Sequence, residues 1–318
     1  MAEHSQMLSV ERILCPAGLP PERDEALRYA ASLAHAYHAK LYVCHCASAP
    51  ALVTLLGDGA GRRQVKERLA DSLARYLGRP GRRDFHWKVV AGEGGGGVGE
   101  EIVRVARERR ADLIVMRSRR AGAAALLGST AEQVSRTASC PVLVVRPKEQ
   151  PTNGGREREV GFRRVLVSHD FSSGSELALS YALSIAQTYG AELYLIHVLP
   201  EPDDAGPEIA WIETGLDGPY HRAMRRLQAS VPGEVCLECR VVFAVRRGKP
   251  YREVLAYVRE KEIDLVCMGA LGRDFGLETL FGSNADRVLR QARCPVLVAR
   301  PLMPSTSMSL DSRLEAAR

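Results

Sequence analysis

Residues 268–283 read Met-Gly-Ala-Leu-Gly, then nine residues, then Gly-Ser, which places glycines at 269, 272 and 282 and a hydroxyl at Ser283. Glycines spaced in this way suit phosphate chemistry. Without a Cβ the backbone can come close to phosphate oxygens and turn its N–H groups toward them. Gly282-Ser283 opens a stretch with helical spacing, and the N–H groups and positive dipole end of a helix start favour an anion. The Ser283 hydroxyl would add a donor. A plainer reading fits the same spacing, with the glycines as turn residues and Ser283 as a helix N-cap. Spacing alone does not choose between them. An enzyme also needs a placed base or electrophile. The loop holds no Lys or His, Arg273 is its only basic residue, and Asp170 is an acid expected nearby. A binding site is therefore favoured over a slow ATPase or a nucleotidyl-transfer enzyme. A module acting through protein contacts alone is a third reading.

Other motifs carry less. Gly92–Gly97 satisfies G-x-G-x-x-G, but poly-glycine does so trivially, and it follows a third strand where a dinucleotide site uses the first βα turn. Gly248-Lys249 is followed by Pro250 and lacks the hydroxyl of a P-loop. Cys44-His45-Cys46 looks metal-like, yet strand alternation sends His45 to the face opposite the two thiols. Cys236 and Cys239 form one C-x-x-C inside Val235–Val245, which reads as a strand, with no second pair to complete a zinc site. Cys15, Cys44, Cys46, Cys140, Cys267 and Cys294 read as free thiols of apolar runs in a reducing compartment.

The elements that must position these residues occur twice. Residues 12–46 align without gaps on 164–198, an offset of 152, with 13 of 35 positions identical, among them Tyr29/Tyr181, Tyr37/Tyr189 and His45/His197. The same offset carries Asp112 onto Asp264 and Met116 onto Met268. Beyond the glycine loop the offset is 154, matching Gly128-Ser129 to Gly282-Ser283 and Cys140–Val144 to Cys294–Val298. A period this long means duplicated domains. In the second copy the patterns predict strands at Arg164–His169, Leu193–Leu199, Val235–Val245, Asp264–Gly269 and Pro295–Arg300. Helices are predicted at Ser175–Tyr189, Pro219–Val231, Pro250–Lys261 and Ser283–Ala292. This alternation implies an α/β fold of two tandem five-stranded, doubly wound parallel units. The domains are read as 1–147 and 162–301, with 148–161 (Pro151, Asn153, Gly154 and Gly155 among charges) as linker and 302–318 as a tail. Pro141–Arg146 and Pro295–Arg300 are apolar final strands whose open edges would invite aggregation. They are expected to face each other within the chain, and a further homodimer is compatible with this.

The chain's 318 residues suit two domains. The net charge of +6 is uneven: residues 1–147 hold 22 Lys and Arg against 15 Asp and Glu, or +7, leaving 22 against 23, or −1, for the rest. No basic run is interleaved with aromatics, so nucleic acid is not an expected partner. No apolar run is long enough to span a membrane. The N-terminus lacks a basic stretch followed by an apolar one, so a cytoplasmic location is expected.

Asp170-Phe171-Ser172 after a strand, His197-Val198 ending the next, Met268-Gly269, Gly272, Gly282-Ser283 and Cys294–Val298 together resemble the universal stress protein family. The likeness covers nearly the whole chain, twice. It implies the fold above and ATP binding, with or without Mg²⁺, in members that keep the glycines. Carried over by position, Asp170, Val198 and Met268 would line an adenosine pocket, and Gly269, Gly272, Gly282 and Ser283 would hold ribose and phosphates. Leu271 stands where many relatives have His. The first copy departs further. Gly18, Cys46, Arg117 and Arg120 replace Asp170, Val198, Gly269 and Gly272, and its loop is two residues shorter. It is read as unable to bind ATP in the family's manner. Arg117, Arg119 and Arg120 either hold another anion or are simply exposed.

Overall fold

The computed structural model describes residues 10–17, 24–46, 59–77, 86–91, 96–118, 127–146, 160–201, 218–233, 239–271 and 281–300, with side chains omitted at 59–65 and 91. The first half runs β1 (Arg12–Pro16), α1 (Glu25–Ala36), β2 (Lys40–His45), α2 (Gly59–Leu77), β3 (Trp87–Ala91), α3 (Val98–Glu108), β4 (Leu113–Arg117), α4 (Ser129–Thr137) and β5 (Val142–Val145). The second repeats it as β6 (Arg164–Ser168), α5 (Ser173–Tyr189), β7 (Glu192–Leu199), α6 (Pro219–Ala229), β8 (Val241–Arg247), α7 (Pro250–Glu260), β9 (Leu265–Gly269), α8 (Ser283–Gln291) and β10 (Val296–Ala299). Each half is a five-stranded parallel unit. The strand order β3-β2-β1-β4-β5-β10-β9-β6-β7-β8 joins them into one ten-stranded sheet.

Strand alternation divides the core between two faces. Ile13, Leu143, Val165, Cys267 and Leu297 point toward α1, α2, α5 and α6. Leu14, Val144, Leu166, Met268 and Val298 point toward α3, α4, α7 and α8. At the amino end of the sheet, Asp112 Oδ2 accepts from the Glu11 and Arg12 N–H groups at 3.0 and 2.8 Å. Asp264 repeats this clamp on Arg163 and Arg164 at 2.8 and 3.2 Å, so the aspartate at the start of the fourth strand ties down the first strand in both copies.

The halves meet along β5 and β10, which pair antiparallel with Leu143 opposite Leu297, Val142 opposite Val298 and Val144 opposite Val296. Leu143 and Leu297 are equivalent residues of the repeat, so a pseudo-two-fold axis passes between them and the contact is isologous. The flanking helices obey the same axis. On one face Ser32 Oγ lies 3.2 Å from Tyr189 Oη and Tyr37 Oη 3.1 Å from Ser184 Oγ. Phe162 packs between Tyr29 and Tyr189, with ring centroids 5.8 and 5.2 Å away. On the other face α4 and α8 exchange ion pairs between Glu132, Arg136, Asp286 and Arg290.

One expected strand is displaced. The run expected over Val235–Val245 becomes β8 only from Val241, and Cys239 lies in a bend before it. Cys236 and residues 147–159, most of the expected linker, lie outside the described residues, as do 302–318. No helix among the described residues is long and apolar enough to cross a membrane.

Candidate functional site

In the second half β7 lies on one side of β6 and β9 on the other. Winding therefore reverses between β6 and β9, and open α/β sheets bind ligands in the crevice outside the carboxyl ends of their strands at such a point. Asp170 lies two residues past β6, Met268 and Gly269 end β9, and Val198 is the penultimate residue of β7. The register places Ser168 beside both Met268 and Ile196, so these residues share one sheet edge. Gly282 joins them: its N–H donates to the Ala270 carbonyl at 2.8 Å, drawing the start of α8 to the end of β9. Gly272 lies outside the described residues.

The structure gives Gly269 a reason of its own. A Cβ there would come within 2.7 Å of the Gly174 carbonyl carbon, 2.9 Å of its oxygen and 3.0 Å of the Ser175 nitrogen. All three are backbone atoms of the first turn of α5, so this glycine admits a helix start against the strand end. Gly174 completes the contact from the other side, where a Cβ would meet the Leu271 carbonyl oxygen at 3.0 Å. Gly282, and not Ser283, is the N-cap of α8, with extended φ −62° and ψ 134°. Ser283 is the first helical residue and is exposed.

Asp170 opens a tight turn. Its Oδ1 accepts from Ser172 N at 3.0 Å and from Ser172 Oγ at 2.5 Å. Ser172 in turn caps α5 in a reciprocal box with Ser175. Phe171 sits between them at φ +64°, in the left-handed region that side chains seldom adopt. Its ring is held by His169 at 5.1 Å, His197 at 4.4 Å and the Arg226 guanidinium of α6 at 4.2 Å. Sequence reasoning missed His169 and Arg226. The equivalent of His169 in the first copy is Ala17, so the repeat held no signal for it. His169 is buried, and its Nδ1 accepts from Phe171 N at 3.2 Å. The neutral ring therefore carries its proton on Nε2, which faces Glu176 Oε1 at 3.4 Å without an aligned hydrogen bond. Burial lowers the His169 imidazole below its ordinary value, against an upward pull from the Glu176 carboxylate. His197 Nδ1 lies 2.8 Å from the His169 carbonyl oxygen, and His45 Nδ1 stands 3.1 Å from the Ala17 oxygen in the same way. The paired histidines thus tie strand two to strand one in each copy.

The equivalent point of the first half is built differently. Arg117 ends β4 in place of Gly269 and is exposed. Gly18, Arg119 and Arg120 lie outside the described residues. Cys44 and Cys46 share a strand face with sulfurs 3.9 Å apart, while His45 turns to the Ala17 carbonyl. No group of three or more metal-ligating side chains occurs among the described residues. Cys15, Cys44, Cys46, Cys140, Cys267 and Cys294 are free thiols. Burial pushes the Cys140 and Cys294 thiols up to about 12, which leaves both inert near neutral pH. Of the glycine run, Gly97 is the N-cap of α3 and Gly92–Gly95 lie outside the described residues.

The sequence profile of the Universal stress protein family matches this chain twice, over residues 9–146 and 161–300. A universal stress protein of Mycolicibacterium smegmatis is 32% identical over 196 residues, covering 61% of this chain and 63% of the relative. One from Mycobacterium tuberculosis is 30% identical over 179 residues, 55% of this chain and 56% of the relative. The matches therefore span less than two thirds of these relatives. The crystal structure of a universal stress protein from Archaeoglobus fulgidus superposes with a TM-score of 0.63 over 92% of this chain and 99% of its own, at 20% identity. That likeness is one of fold.

Proposed function

Because the chain belongs to the universal stress protein family, we propose that it binds one adenine nucleotide, ATP, in its second half and serves in the stress response as a nucleotide-binding regulator or sensor. The observation that carries this reading is the asymmetry at the two switch points. In the second half Asp170, Met268, Gly269 and Gly282 meet at one edge, with the start of α8 tied to Ala270. In the first, Arg117 occupies the Gly269 position. An ionised Asp170 is acceptor-only and suits the amino and hydroxyl donors of adenosine, and its turn is already ordered by Ser172. Val198 and Met268 would offer apolar contact. Gly269, Gly272, Gly282 and Ser283 would serve ribose and phosphates, with the α8 dipole favouring negative charge. Residues 1–147 then form a degenerate partner domain, 148–161 a linker and 162–301 the binding domain.

Isothermal titration of the intact chain with ATP, with and without Mg²⁺, tests this. One site per chain is expected. Gly272→Arg, which copies Arg120, should abolish binding by placing a side chain where phosphate would lie. Ser283→Ala should weaken it by about 1.5–3 kcal/mol, the worth of one hydrogen bond to a charged group. Two equivalent sites, or none, would overturn the reading.

A further inference from the structure

Within the pseudo-symmetric clasp between α4 and α8, one contact has no counterpart. The charged part is reciprocal. Arg290 holds Asp286 with Nε and Nη2 at 2.8 and 3.1 Å and reaches Glu132 at 2.8 Å. Arg136, its equivalent in the first copy, lies 3.1 Å from Glu132 and 3.6 Å from Asp286. The aromatic part is one-sided. The Arg136 guanidinium stands over the Phe281 ring at 5.6 Å, while the first copy has Leu127 at the corresponding position and so offers Arg290 no ring. Phe281 immediately precedes Gly282, whose N–H bonds to Ala270 and whose carbonyl accepts from Asp286 N. A side chain of the first half therefore bears on the start of α8, only in the copy that keeps the glycines.

We propose that Arg136 is a positioning residue for the second half's nucleotide site. It fixes Phe281, and through it the N-terminus of α8, so that nucleotide affinity depends on the docking of the first half. The part concerning affinity rests on the nucleotide reading above; the clasp itself does not. Arg136 also helps neutralise Asp286, whose carboxylate in the first turn of α8 would otherwise oppose an anion there.

Hydrogen exchange at the Gly282 and Asp286 amides of the intact chain, without nucleotide, reads the clasp directly. Arg136→Ala should speed exchange roughly three- to tenfold, the size of an exposed cation–π contact with a surface ion pair, and Phe281→Leu roughly two- to fivefold, the size of the cation–π contact alone. The double variant should be no faster than Arg136→Ala alone, because loss of the ring contact is already contained in loss of the guanidinium. Arg136→Lys, which keeps a cation over the ring, should restore most of the protection. Unchanged exchange in Arg136→Ala, or additive effects in the double variant, would overturn the proposal. In titrations, both substitutions should weaken ATP binding, Arg136→Ala at least as much as Phe281→Leu. Unaltered affinity in both would refute the coupling. A wild-type chain that binds no ATP would instead refute the nucleotide reading, and the exchange data would still decide the clasp.

Discussion

Gly269→Ala tests whether this glycine is required by packing. The added methyl would stand 2.7–3.0 Å from three backbone atoms of Gly174 and Ser175. Backbone held in a capped first turn cannot swing aside as the end of a side chain can, so the strand and helix must separate. Overpacking of this kind costs roughly 1–3 kcal/mol. With the Ser172–Ser175 cap resisting movement of the helix start, about 2–3 kcal/mol is expected, a fall in Tm of about 4–12 °C at the usual 2–4 °C per kcal/mol for chains of this order of size. Two companions calibrate the measurement. Gly174→Ala has one tight contact, the Leu271 oxygen at 3.0 Å, its other neighbours lying at 3.5 and 3.7 Å, and the gain of about 1 kcal/mol from replacing a helical glycine offsets much of that strain, so it should stay near wild type. Arg117→Gly, at the exposed equivalent in the first half, should cost about 0.5–1 kcal/mol through backbone entropy alone. Thermal melts and urea midpoints of the three variants would be compared. A Gly269→Ala protein as stable as wild type, or a Gly174→Ala protein less stable than Gly269→Ala, would refute the packing argument and leave ligand approach as the reason for the glycine.

Three further outcomes are expected. Residues 161–300 expressed alone should form a homodimer through β10, because the antiparallel edge that β5 covers would be open; a soluble monomer in light scattering would count against it. Tyr37→Phe and Tyr189→Phe each remove a hydroxyl from equivalent cross-half contacts, so each should cost about 0.5–1.5 kcal/mol in urea unfolding, and a loss confined to one would contradict the pseudo-symmetry. The folded-state pKa of His169 is lowered from 6.5, so its contribution is intact above that value and shrinks as pH falls from 6.5 toward the folded-state value. His169→Gln should flatten that part of the stability–pH curve, and an unchanged slope would show that His169 does not govern it.

The sequence by itself was enough for the duplication, the strand–helix alternation and the sheet class, because each is carried by local periodicity or by identity between the halves. The boundaries of α5–α8 stand within two residues of expectation for the same reason: Gly190 takes φ +63° where α5 ends, and Pro219 and Pro250 open α6 and α7. The apolar run through Cys236 and Cys239 misplaced the start of β8, since pairing with Leu193–Leu199 begins only at Val241. What the tertiary structure decided lies in contacts between distant segments. Gly269 reads as a phosphate glycine in isolation; only the approach of Gly174, 95 positions earlier, reveals its packing role. His169, Phe171 and Arg226 form a cluster because α6 crosses the turn after β6, a juxtaposition with no period in the sequence. Arg136 reaches Phe281 because Leu143 and Leu297 pair across the pseudo-two-fold axis, bringing α4 and α8 together. Periodicity records which face of an element is buried; which particular side chains meet across that face depends on the three-dimensional path of the chain.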